Sequence, residues 1–153
     1  MAYYICPNCQ DRSIDADGLE GLSHQAVGCR RCGFGFLFQV LDDYYPHPDA
    51  GMLACDSGGR ILAAGRGVFE LTGYRELDLI GRPVSEALGL HEFADGKDPV
   101  ATVKEWGVRQ LGKQAMMRHA VGRDKRVVLD VFPALDEDGG LLVAVASRPA
   151  PKE

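Results

Sequence analysis

Nowhere in the 153 residues does an uninterrupted apolar run approach the roughly 18 positions that a membrane-crossing helix needs, which argues against a helical membrane protein. The opening Met1-Ala2-Tyr3-Tyr4-Ile5-Cys6 lacks the charged and apolar regions of a secretory signal, so the chain is expected in the cytoplasm, where thiols stay reduced. Positive charge is also scarce. Lysine and arginine number 17 against 22 aspartates and glutamates, and residues 1–45 hold only Arg12, Arg30 and Arg31 against Asp11, Asp15, Asp17, Glu20, Asp42 and Asp43. Nucleic-acid binding depends on basic groups meeting phosphates, so an acidic segment of this kind is a poor reader of DNA or RNA. That function survives only if Arg118, Arg123, Lys125 and Arg126 gather into one patch, and a solvated turn is the commoner explanation of such a cluster. Catalytic patterns are missing too. Asp56, Ser57, His91, His119 and Asp130 fall in no nucleophile elbow or ordered triad, and the glycines from Gly58 to Gly67 lack the lysine and serine of a phosphate loop, so no enzyme is expected.

What the chain does have is cysteine in a pattern. Cys6-Pro7-Asn8-Cys9 and Cys29-Arg30-Arg31-Cys32 are two Cys-x-x-Cys pairs. Two thiolates on one tight turn can address a single ion, and two such turns close a tetrahedral site with no open position. Pro7, Asn8 and Gly33 are turn formers, and the nineteen residues between Cys9 and Cys29 suit a hairpin-sized loop. The spacing argues for one metal held by Cys6, Cys9, Cys29 and Cys32, and against four unrelated buried thiols. Zinc is the commoner use of this pattern; iron, as in rubredoxins, uses the same ligands, and thiolates alone do not choose between the two. Arg30 and Arg31 offset the negative charge of the thiolates. Cys55 stands apart in the apolar Met52-Leu53-Ala54-Cys55 and reads as a small buried hydrophobe.

Composition changes in the proline- and acid-rich stretch from Asp42 to Asp49, which divides the chain into a zinc ribbon over residues 1–43, a linker over 44–50, a larger domain over 51–148 and a polar tail over 149–153. Some 45 residues enclose too little interior to fold by apolar burial alone, so the metal is expected to be required for folding of the ribbon. Phe34 to Leu41 reads as a strand, with Phe34, Phe36 and Phe38 alternating onto one side, either to cap the small core or to dock it on the second domain. The larger domain reads as α+β. Two strands, Met52–Cys55 and Arg60–Ala64, flank the turn Asp56-Ser57-Gly58-Gly59. Short helices follow over Val68–Leu71, Glu76–Ile80 and Pro83–Leu88. Asp98-Pro99 then opens a longer helix through Val100, Val103, Trp106 and Leu111. Ala115–Val121, Arg126–Phe132 and Leu141–Ser147 are expected as sequential antiparallel strands.

Leu71-Thr72-Gly73-Tyr74 followed by Leu79-Ile80-Gly81-Arg82 resembles the LTGY and IGR segments of the PAS family, and the element order, with Pro133 and Asp138-Gly139 before the last strand, agrees over about residues 50–148. The resemblance implies a five-stranded antiparallel sheet with helices on one face, enclosing a cavity that in that family holds haem, flavin, a small metabolite or nothing. It also implies homodimerisation. The photoreceptor branch carries a cysteine shortly after its GR pair, whereas Gly81-Arg82-Pro83-Val84-Ser85 has none; the haem branch commonly uses a histidine on the long helix, and Asp98 to Gln114 has none. His91 and His119 lie elsewhere. The asparagine frequent after the second strand is replaced near Gly65.

On alternation, Val127, Leu129 and Val131 face the cavity and Val128, Asp130 and Phe132 the other side; Trp106 joins the cavity candidates. Leu141–Ala146 is apolar on both faces, so the outer face of the sheet needs a cover, either the ribbon or a second copy of the chain. The expectation is therefore a cytoplasmic regulatory protein, a zinc ribbon joined to a PAS sensor, working by ligand binding and protein contact. The rival readings are an iron redox module on a PAS interaction domain, and a nucleic-acid-associated zinc-ribbon regulator.

Overall fold

The computed structural model describes residues 2–8, 38–41, 49–133 and 140–147. At the N-terminal end, β1 (Ala2–Ile5) pairs antiparallel with β2 (Phe38–Leu41), Ile5 opposite Phe38. Of the expected strand from Phe34 to Leu41, residues 34–37 lie outside the described residues. So do most of the expected linker and the whole of the tail.

The larger unit starts with β3 (Gly51–Cys55) and β4 (Ile61–Ala64). Asp56 turns the chain between them, its Oδ1 accepting from the amides of Gly58 and Arg60, each at 2.9 Å. Three short helices follow, α1 (Val68–Thr72), α2 (Glu76–Leu79) and α3 (Val84–Ala87), and then α4 (Pro99–Trp106). Asp98 caps α4, accepting from the Val100 amide at 2.8 Å, with Pro99 at its first turn. The chain ends in β5 (Gln110–Arg118), β6 (Asp124–Pro133) and β7 (Leu141–Ser147). The five strands form one antiparallel sheet in the order β4-β3-β7-β6-β5, so the first strand of the domain pairs with the last.

Two boundaries differ from the sequence expectation. The long helix stops at Gly107, which adopts φ 68 and donates its amide to Val103 O at 2.8 Å, so Leu111 belongs to β5 and not to the helix. A left-handed residue at that point ends the helix whatever apolar period continues beyond it. The strand after it begins at Gln110, carries an irregularity between Gln110 and Lys113, and ends at Arg118, because the turn closes early, with His119 N on Arg123 O at 2.8 Å.

Alternation along β7 sends Leu141, Val143 and Val145 to the helices and Leu142, Ala144 and Ala146 to the opposite face, all buried. The helix-side core joins these to Leu53, Ile61, Leu79, Leu88, Val103, Met117 and the inward residues of β6. Each such side chain contributes about 1.5–3 kcal/mol by leaving water. Both sheet edges are occupied. Beside β4, Gly81 N donates to Ile61 O and Ile61 N to Arg82 O, while beside β5 His91 and Met116 exchange both backbone bonds. Such cover removes the free pairing groups through which sheets aggregate.

Candidate functional site

The face of the sheet away from the helices is paved with small residues, Ala50, Ala54, Ala144 and Ala146, around Met52, Phe132 and Leu142, with Ala63 alongside. Ile5 of the N-terminal segment packs into that cluster and is fully buried. Alanines keep the face shallow enough for a second layer of backbone to lie close to it. The cover expected for the outer face is thus, at least at this point, the chain's own N-terminal segment.

Beyond Ile5 the contact continues through Cys6, Pro7 and Asn8. Cys6 and Pro7 are buried, and Asn8 Oδ1 accepts from the Arg66 amide at 3.0 Å. At Gly65 the two segments meet with no room for a side chain, since a Cβ there would overlap the Pro7 carbonyl and lie 3.0 Å from Asn8 Cα. Gly65 itself is tied to the sheet by donating to Met52 O at 2.8 Å. Cys6 therefore sits between an anchored apolar side chain and a turn held against the end of β4. Cys9, Cys29 and Cys32, the other expected metal ligands, lie outside the described residues. Among the described residues no group of three or more metal-binding side chains occurs. The four sulfur donors paired in the sequence are of a chemistry that suits zinc or iron.

On the helix side, Val127, Leu129 and Val131 are brought together, all fully buried in the main core. Trp106 is not among them. It ends α4 with 71% of its surface exposed, because helix termination at Gly107 leaves it on the rim. Phe132 lies on the outer face as alternation requires. The Leu71–Tyr74 segment closes one end of the core: Thr72 Oγ1 donates to Val68 O at 2.7 Å, the Tyr74 amide donates to Thr72 Oγ1 at 3.0 Å, and Tyr74 OH donates to Arg118 O at 3.2 Å. Cys55 has a free thiol facing the core, and burial, followed by the neighbouring Asp56 charge, pushes its pKa up to about 12. It is an inert thiol.

Sequence reasoning did not single out two clusters. One is the Gly65–Arg66 seat; its only trace in the sequence is a glycine where the family often has asparagine. The other surrounds His91, whose Nδ1 lies 2.7 Å from Gly89 O and whose Nε2 lies 3.4 Å from Asp124 Oδ2, with Arg118 Nε 3.7 Å from the second Asp124 oxygen. With an acceptor at each ring nitrogen, the charged imidazolium is favoured: the Gly89 carbonyl is the largest cause that raises the pKa of His91 above the usual value, desolvation opposes it, and Asp124 adds to the rise. His119, by contrast, uses Nδ1 to accept from the Val121 amide at 3.2 Å.

No protein-family model matches the chain, nor does any curated protein. Solved structures do. The chain is similar to the PAS domain of a protein from Colwellia psychrerythraea, with 22% identity, a TM-score of 0.52 and coverage of 65% of this chain and 86% of that one. It is also similar to the PAS domain of nitrogen regulation protein NR(II) from Vibrio parahaemolyticus, at 15% identity and a TM-score of 0.53 over 67% of this chain and 92% of that one. A third likeness is to the light-state dimer of the fungal blue-light photoreceptor Vivid, at 12% identity and a TM-score of 0.56 over 69% and 81% of the two chains. At such identities the shared property is the fold, and the five-stranded sheet with helices on one face is a PAS-like fold.

Proposed function

We propose that the chain is a cytoplasmic regulatory protein in which a metal-stabilised ribbon, held by Cys6, Cys9, Cys29 and Cys32, works with a PAS-like sensor domain, and that it signals by protein contact and not by catalysis. The observation that carries this reading is the seating of Cys6 to Asn8 on the sheet. The same few residues that offer a metal ligand also bury Ile5 on the outer face and press against Gly65 and Arg66. Zinc is the metal of this reading, supported by the paired spacing of the cysteines. The interior bounded by Val127, Leu129 and Val131 would receive an apolar small molecule, and a ligand that favours one arrangement of α4 against the sheet would shift the protein only by its difference in affinity for the two arrangements. Flavin adduct chemistry of a photoreceptor kind lacks its cysteine after Gly81-Arg82. A homodimer is part of the proposal, by analogy with the dimer named for Vivid.

Elemental analysis with native mass spectrometry of the untagged chain tests all of this together. One zinc per chain, a colourless protein and a dimer mass are expected. A red protein with visible thiolate-to-iron bands would replace the sensor with an iron redox module. Retention of a small molecule, or a thermal shift in a ligand screen, separates a sensor from a pure interaction module.

A further inference from the structure

We propose that metal occupancy of the cysteine site and cover of the outer sheet face control each other, with the Cys6–Asn8 turn as the link. This rests on the metal reading above. Cys6 has Ile5 on one side, buried among Met52, Ala54, Leu142 and their neighbours, and Pro7 and Asn8 on the other, packed on Gly65 and bonded to the Arg66 amide. A metal held by Cys6 and Cys9 fixes the turn between them. Gly65 accepts that backbone only because it has no side chain, so the seat is shaped for a set turn and not for a wandering strand. Without metal, holding residues 5–8 on the sheet carries an ordering cost that the metal had met. Release uncovers a face built of Ala50, Met52, Ala54, Phe132 and Leu142, an apolar surface that the metal-bound state hides. Because coupling is reciprocal, the factor by which bound metal favours the seated turn is also the factor by which the seated turn favours metal, so loosening the seat weakens the metal.

The test uses the full chain loaded with Zn²⁺. In its first arm, zinc is withdrawn with a chelator in the presence of a reductant, and amide exchange is followed together with binding of an apolar dye. Exchange of the Arg66 amide and of β3 is expected to quicken, and dye to bind, with reversal when Zn²⁺ is returned. In its second arm, zinc affinity is measured by competition with a chromophoric chelator. Gly65→Ala, 33 residues from the nearest of the four cysteines in sequence, is expected to weaken zinc by at least about fivefold at unchanged stoichiometry. Asn8→Ala is expected to weaken it too, and the double variant by less than the product of the two. If one zinc binds but exchange and dye binding do not respond to its removal, or if Gly65→Ala folds and holds zinc as tightly as the unaltered chain, the coupling is overturned while the metal site stands. If no zinc binds at the outset, both fall. Should Gly65→Ala fail to fold, the first arm decides alone.

Discussion

His91 answers to pH because both of its ring nitrogens are engaged by acceptors, Gly89 O on one side and Asp124 on the other, with Glu92 and Arg118 as the remaining charges near the pair. Its pKa is raised in the folded chain above 6.5, so the protonated form is held more tightly in the folded state than in the unfolded one. That contribution is complete below about pH 6.5 and fades as pH rises through the raised value. His91→Gln is therefore expected to lower the urea midpoint at pH 6 and to converge with the unaltered chain at higher pH; a gap that stays constant from pH 6 to 9 would rule out this contribution. Cys55 works in the opposite chemical sense. With its pKa pushed up to about 12 by burial, it stays a neutral thiol, and its contribution to stability is present at neutral pH and declines above about pH 9. Peptide mapping after iodoacetamide at pH 8 should find Cys55 unmodified in the native chain and modified in urea.

Among the elements, α4 shows both how far the sequence speaks and where it stops. Its start was legible because Asp98 and Pro99 act locally, through one side-chain hydrogen bond and one fixed φ. Asp98→Ala is expected to cost about 1 kcal/mol in urea unfolding, the usual worth of such a cap, and an effect within error would mean that the Val100 amide finds another partner. Its end was not legible, since Leu111 continues the apolar period and only the backbone of Gly107 breaks it. The same misreading placed Trp106 inside, although an aromatic on the last turn of an eight-residue helix falls at the rim. The last strand, Leu141–Ser147, was read at its observed bounds because a run buried on both faces leaves no ambiguity of side. Of the candidate site, the cysteine pairs speak through spacing alone, whereas the seat at Gly65 is a contact between residues 58 positions apart made by backbone atoms and an absent side chain. No local pattern encodes such a contact.

For the molecule as a whole, the central question is whether the N-terminal segment and the five-stranded sheet unfold together. Ile5 is fully buried in the outer cluster, so its side chain forms part of the apolar link between the two layers. If the layers form one cooperative unit, truncating Ile5 removes buried methyl groups from the shared core, and the whole transition should move by about 2–4 kcal/mol, as for other fully buried large-to-alanine changes. If they do not, the segment can lift away at little cost to the sheet beneath, in the manner of local openings that never approach the global free energy. Urea unfolding of metal-loaded Ile5→Ala, followed by far-ultraviolet circular dichroism, separates the cases. A single transition at lower urea with an unchanged slope is the expected result. A main midpoint equal to that of the unaltered chain, preceded by a separate early step, would show that the sheet holds its fold without the segment and that its alanine-paved face is stable in water when bare.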